Sequence, residues 1–181
     1  MFIDLLRARR SVRSFTGRPV SAEHIDLLAE AVLRSPSSRA RRPWEFVFVT
    51  DPAAIGRLAA TRPSGSAFLA RAALVIVVCA RPSVSDVWVE DASIATLIAH
   101  LTAADLGLGS CWVQVRQREH DDTLMATRYV AEVVGLPADY EVEAMVGIGH
   151  PDTMPLGHPT ATLNFTAVHH DRHGVPLRVT D

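Results

Sequence analysis

Apolar residues recur along this chain with two distinct periods, and the alternation between them outlines the elements. Ile25, Leu28, Ala29 and Val32 share one face at helical spacing, with Ser21 placed to cap a helix over about 22–33. A shorter helix over 2–9 precedes it. Pro36 ends the second helix, and Ser35–Arg42 reads as a polar loop. Trp44–Thr50, aromatic and β-branched, predicts a strand. Asp51-Pro52 then has the form of an N-cap followed by a first helical residue. Leu74–Cys79 is continuously apolar, the pattern of a strand covered on both faces. The longest helix is expected over 87–106, where Ile94, Leu97, Ile98, Leu101 and Ala104 form a wide apolar face before Gly107 stops it. Cys111–Val115 predicts a third strand. Asp121 or Asp122 is expected to open a helix closed by Gly135 and Pro137, and Glu141–Ile148 gives a fourth strand.

Beyond Gly149, prolines 151, 155, 159 and 176 break the pattern. The order α-α-β-α-β-α-β-α-β plus a tail predicts one α+β domain over residues 1–181. An irregular tail of this length either frays or wraps a neighbour, and Val168, Leu177 and Val179 favour wrapping.

With 48% hydrophobic and 21% charged residues, the chain has the material for a core rather than for disorder. Its net charge of −2 argues against a general nucleic-acid binder. The charge is uneven: residues 1–50 carry nine Arg against five acids, so the basic excess is local and suits a bounded anionic ligand. There is no Lys, which excludes Schiff-base chemistry and a Walker lysine. Cys79 sits in an apolar run and reads as core; with Cys111 it suggests neither a disulfide framework nor a zinc site. No signal peptide is recognisable, and no apolar run is long enough for a bilayer, so a cytoplasmic protein without membrane contact is expected.

Three segments could carry chemistry. Arg9-Arg10-Ser11-Val12-Arg13 offers bidentate guanidinium donors and a hydroxyl, the chemistry that grips phosphate, although a solvated basic turn has the same composition. Ser35-Pro36-Ser37-Ser38-Arg39, running on to Arg42-Pro43-Trp44, clusters donors in a helix-to-strand loop. Gly107-Leu108-Gly109-Ser110-Cys111-Trp112-Val113 places glycines after a helix and before a strand, the reverse of the dinucleotide fingerprint. Each segment also has a plain reading as a turn. His169, His170 and His173 with Asp171 have metal-like spacing but lie in irregular chain, and no metal is expected. G-x-S-x-G is absent. Glu90 and Asp91 at the start of the long helix are read as favouring its positive end.

In order, R-R-S-x-R-x-F (Arg9 to Phe15), S-P-S-S-R-x-x-R-P-W-E-F (Ser35 to Phe46), G-L-G-S-C-W-V and V-G-I-G-H-P (Val146 to Pro151) resemble the nitroreductase family of FMN enzymes. The resemblance covers about residues 2–170. It implies a three-layer α+β sandwich with a mostly antiparallel central sheet. It also implies an intertwined homodimer with FMN at the interface, the long helix in that interface, and the arm over 158–181 embracing the partner. The implied activity takes hydride from NADH or NADPH and passes it to a nitroaromatic, quinone or similar small acceptor. Carried over by position, Arg9, Arg10, Ser11 and Arg13 would hold the phosphate and ribityl chain. Ser37, Ser38 and Arg39 would touch the partner's flavin, and Cys111, Trp112 and Val113 would line the ring with backbone amides towards its nitrogens. No catalytic side chain is implied, because the cofactor carries the redox chemistry. The resemblance leaves two alternatives: a flavin storage or sensing protein, or a same-fold enzyme of dehalogenation, flavin fragmentation or azoline dehydrogenation. Two departures stand out. Ala40 occupies a position where the family usually has Asn, and the basic residue usual after the Gly149-His150-Pro151 turn is represented only by His158 or Arg172.

Overall fold

A computed structural model of the chain describes residues 1–177; Val179, expected in the arm, lies outside them. Helices α1 (Phe2–Ala8) and α2 (Ala22–Leu33) precede strand β1 (Trp44–Val49). Helix α3 (Pro52–Ala59), strand β2 (Leu74–Ala80), helix α4 (Trp88–Asp105) and strand β3 (Gly109–Gln114) follow. Helix α5 (Ala126–Val134) and strand β4 (Glu141–Gly149) complete the alternation. Local chemistry sets the boundaries. The Ser21 side chain accepts from the His24 amide, Asp51 accepts from the Ala54 amide with Pro52 at the first turn, and Gly135 ends α5 in the left-handed region.

The strands pair in the order β1-β2-β4-β3, every pair antiparallel. Helices cover both faces. On one, Leu28 and Val32 of α2 and Ala92, Ala95, Ala99 and Ala103 of α4 pack on Leu74, Ile76, Val78, Val146 and Ile148. On the other, Ile55 and Leu58 of α3, Ala126 and Val130 of α5, and Phe15 pack on Val75, Val77 and Met145. The continuous apolar run of β2 is thereby explained: alternate residues feed two separate cores, and all seven are buried. This is a three-layer α+β sandwich.

Two expectations need correction. Helix α5 begins at Ala126, not beside Asp121 or Asp122. The Asp121 carboxylate instead accepts from the Thr123 and Leu124 amides, closing a turn with the same chemistry that caps a helix. The loop over 35–42 contains a 3-10 turn at Ser38–Ala40, with Arg39, Ala40 and Arg42 at positive φ. Asp91 lies in the first turn of α4, where the helix-end reading put it, and is in addition buried and hydrogen-bonded, as described below.

Helix α4 is apolar on two sides. Its alanines lie on the sheet, where short side chains let the helix approach closely. The predicted face turns partly outward, with Ile94 40% and Leu97 48% exposed. Helix α4 thus carries an exposed apolar strip besides the face that it buries on the sheet.

Candidate functional site

The basic segment is held by two apolar anchors between its charges. Val12 and Phe15 are buried in the core, while Ser11, Arg13 and Ser14 face outward. The segment lies across the end of the sheet. Ser11 pairs in parallel with Ser110 at the start of β3, and Phe15 pairs with Pro151 just past β4. The Val12 amide donates to the Ser110 carbonyl at 2.9 Å, and the Thr16 amide donates to the His150 carbonyl at 3.0 Å. Two glycines make this possible. A Cβ on Gly109 would lie 2.8 Å from Val12, and one on Gly149 would lie 3.0 Å from the Phe15 ring. The glycines of the G-L-G-S and V-G-I-G motifs thus admit the basic segment.

The cluster divides once side chains are placed. The Arg9 guanidinium donates to Nε2 of His100 at 2.8 Å, and His100 Nδ1 meets the Ser110 hydroxyl. Arg10 turns away and donates to the Leu156 carbonyl in the C-terminal segment. The charges of Arg13 and Arg9 and the hydroxyl of Ser11 act on the Cys111 thiol. Burial raises that thiol's pKa, and these three neighbours pull it back. Burial, then the charge of Arg9, pushes the His100 imidazole down to about 4, so it is neutral at physiological pH. His158 shares a hollow of about 390 Å³ with Arg9, Ile3, Leu6 and Phe165. His158, one of the two candidates for a late basic partner, therefore lies beside the cluster.

Along β3, Ser110 uses its carbonyl on the outer edge. Strand alternation therefore turns the Trp112 amide outward as well, while Cys111 and Val113 turn theirs towards β4. Among Cys111, Trp112 and Val113, only Trp112 offers an edge amide. The Cys111 and Val113 side chains are buried. The Trp112 ring is held by donation from Nε1 to Gln114 Oε1 at 3.0 Å. Gln114 in turn reaches the buried Glu143, which pairs with Arg116 at 2.8 Å.

Ser37, Ser38 and Arg39 stand elsewhere. The Ser38 amide donates to Asp91 at 2.8 Å, and the Ser85 hydroxyl donates to the other Asp91 oxygen at 3.1 Å. The Ser37 hydroxyl accepts from the Arg42 amide. Asp91 thus fastens this loop to the first turn of α4, whereas Arg9 is fastened near its last turns by His100. Within one chain the two sets do not meet.

His100 and Asp91 carry these arrangements, and neither was marked from the sequence as part of a site. A signal existed for His100: Ala92, Thr96 and His100 fall at successive i,i+4 positions, so two polar residues interrupt the buried alanine stripe.

A three-layer α+β sandwich with an arginine-rich segment docked on its edge strand defines a domain of a particular connectivity, and the comparisons with known proteins say which. The nitroreductase family profile matches residues 6–63 and 59–150, and the chain belongs to the nitroreductase family. A solved FMN-dependent nitroreductase from Clostridium difficile R20291 is 39% identical and superposes with a TM-score of 0.92, covering 94% of this chain and 99% of that one. An Archaeoglobus fulgidus protein provisionally named NADH dehydrogenase/NAD(P)H nitroreductase is 34% identical over 82% of this chain and 84% of its own length. The NADPH:FMN oxidoreductase of Vibrio harveyi, solved with NAD+, is 24% identical with a TM-score of 0.75; it covers 94% of this chain and 77% of that one, and shares the fold. Among the described residues no helix is long and apolar enough to cross a membrane.

Proposed function

We propose that this protein is an FMN-dependent oxidoreductase that takes hydride from NADH or NADPH and delivers it to a small acceptor such as a nitroaromatic or quinone. The observation that carries the reading is the docked basic segment. Gly109 and Gly149 admit it, and Ser11 and Arg13 face outward at the rim of β3 with the half-buried Arg9 beside them. Charge-assisted donors of this kind suit a phosphate monoester. Arg9, Ser11 and Arg13 would hold that phosphate and the ribityl chain, with Trp112 and its edge amide beside the ring. The bound flavin would supply the two-electron chemistry. The chain's own task is to bind and orient: guanidinium donors at one end, the Trp112 ring held by Gln114 at the other. Arg10, engaged by Leu156, would contribute by fixing the C-terminal segment over the cluster.

The same reading includes a homodimer. Its support is the outward side of α4, with Ile94 and Leu97 exposed, and a C-terminal segment whose Leu156, Leu163, Phe165 and Val168 are likewise exposed. Ser37, Ser38 and Arg39 would reach the flavin of the partner, and the arm, described from 158 to 177, would lie against it.

Anaerobic titration of the FMN-loaded protein with NADH and with NADPH, followed by flavin absorbance, tests the reading. Bleaching by either, and recovery on adding a quinone, is expected. Protein that fails to bind FMN, or bound flavin that neither nucleotide reduces, would defeat it.

A further inference from the structure

His100 is the one titratable side chain of α4 that is both buried in the alanine stripe and directed at the basic segment. Its two ring nitrogens have different partners. Arg9 has only donors, so Nε2 must accept, and the ring is in the neutral form with its proton on Nδ1. Nδ1–H then donates to the Ser110 hydroxyl, whose own proton is directed to the His100 carbonyl at 3.4 Å. Every proton along Arg9–His100–Ser110 therefore has one placement. The same Ser110 receives the Val12 amide through its carbonyl, so backbone and side chain of one β3 residue fix both the path of the basic segment and the aim of its first arginine.

We propose that His100 is a positioning residue for the flavin phosphate: its neutral imidazole, oriented by Ser110, takes one N–H of Arg9 and so aims the remaining guanidinium donors at the phosphate. The inference rests on the reading of Arg9 as a phosphate ligand. An arginine without this partner has several rotamers to lose on binding, whereas Arg9 is already ordered. A neutral acceptor is also better suited than a carboxylate. It orders the guanidinium without neutralising it, leaving the full positive charge for the ligand.

The test compares FMN with riboflavin, which lacks the phosphate. Dissociation constants for both are measured by flavin fluorescence on the flavin-free wild type and on His100→Leu, His100→Gln, Ser110→Ala and Arg9→Ala. Loss of an aimed, charge-assisted contact is worth roughly tenfold or more. His100→Leu is expected to weaken FMN by about that factor with riboflavin unchanged. His100→Gln, whose amide oxygen can accept from Arg9 while its NH2 donates, is expected to restore most of the loss, and Ser110→Ala to fall between. Equal weakening of FMN and riboflavin by His100→Leu would mean a merely structural histidine and would overturn the proposal. So would an unchanged FMN affinity in His100→Leu while Arg9→Ala loses it. If Arg9→Ala itself leaves the FMN-to-riboflavin ratio intact, the phosphate assignment fails, and the role of His100 fails with it. Should His100→Leu not fold, selective weakening of FMN by Ser110→Ala decides in its place.

Discussion

Acid should destabilise this fold through His100, and the size of the effect follows from its surroundings. The imidazole is buried between α4, Ser110 and Arg9, and its pKa falls from 6.5 to about 4. In the unfolded chain it titrates near 6.5. Between those values the unfolded state holds a proton that the folded state refuses, so stability rises with pH across this window. The contribution is intact above about pH 6.5 and is lost progressively as pH falls towards 4. At pH 5 the unfolded state is favoured by about 2 kcal/mol relative to pH 8, at 1.36 kcal/mol per unit. For a chain of this length that corresponds to a drop in Tm of roughly 4–8 °C. The assay is thermal and urea unfolding of the flavin-free protein at pH 8 and pH 5, wild type against His100→Gln. Gln does not titrate, while every other histidine contributes equally to both proteins. The variant's stability should therefore fall less on acidification, by about the stated amount. Equal pH sensitivity, within roughly 0.5 kcal/mol, would refute the buried neutral imidazole.

Other consequences are local. Asp91→Ala leaves the Ser38 amide without its acceptor; a loss of about 1–3 kcal/mol in urea unfolding is expected, with faster tryptic cleavage after Arg39 and Arg41. Ala40 sits at φ 55°, where a Cβ is disfavoured by roughly 1–2 kcal/mol and Asn is better tolerated. Ala40→Asn should therefore raise Tm, and a lowered Tm would show that the strain is absent. Burial, aided by the Glu45 carboxylate, pushes the Cys79 thiol up to about 12, and burial also raises Cys111. Neither should react with a disulfide reagent at pH 8 until the chain is unfolded, when both are titrated; a fast native-state reaction would contradict their burial.

The sequence of elements was legible because each relies on a local signal that nothing overrides: Ser21 and Asp51 as caps, Gly135 as a left-handed stop, and the two-sided apolar run of β2. The start of α5 was not, because Asp121 accepting two backbone amides is the same chemistry whether it opens a helix or closes a turn. The five-residue 3-10 turn at Ala67–Arg71 escaped for lack of any periodicity at that length. Among the site residues, the R-R-S-V-R segment was readable as a unit from its clustered arginines and its place in the motif order, but the burial of Val12 and Phe15 that anchors it was not. Its internal division was not readable. That Arg9 goes to His100 and Arg10 to Leu156 depends on contacts 91 and 146 residues away. Of the three β3 residues expected at the flavin, two turn their amides into the sheet, a consequence of which edge is free.

The placement of these contacts along α4 bears on why the proposed site needs two chains. Asp91 fastens the Ser37–Arg39 loop, and His100 fastens Arg9. Nine residues of helix separate them, roughly 13 Å along the axis. Ile94 and Leu97, the most exposed large apolar residues of the helix, straddle the midpoint of that interval. If α4 packs antiparallel on its copy about a two-fold axis near that midpoint, Ile94 faces the partner's Leu97, and Asp91 comes level with the partner's His100. The relation is isologous, so it holds at both ends. The serine loop of each chain would then stand over the other chain's basic segment, and two equivalent sites would form from surfaces that are incomplete alone. The outward apolar side of α4, superfluous to the core of one chain, would then set the register in which the proposed halves of the flavin site meet.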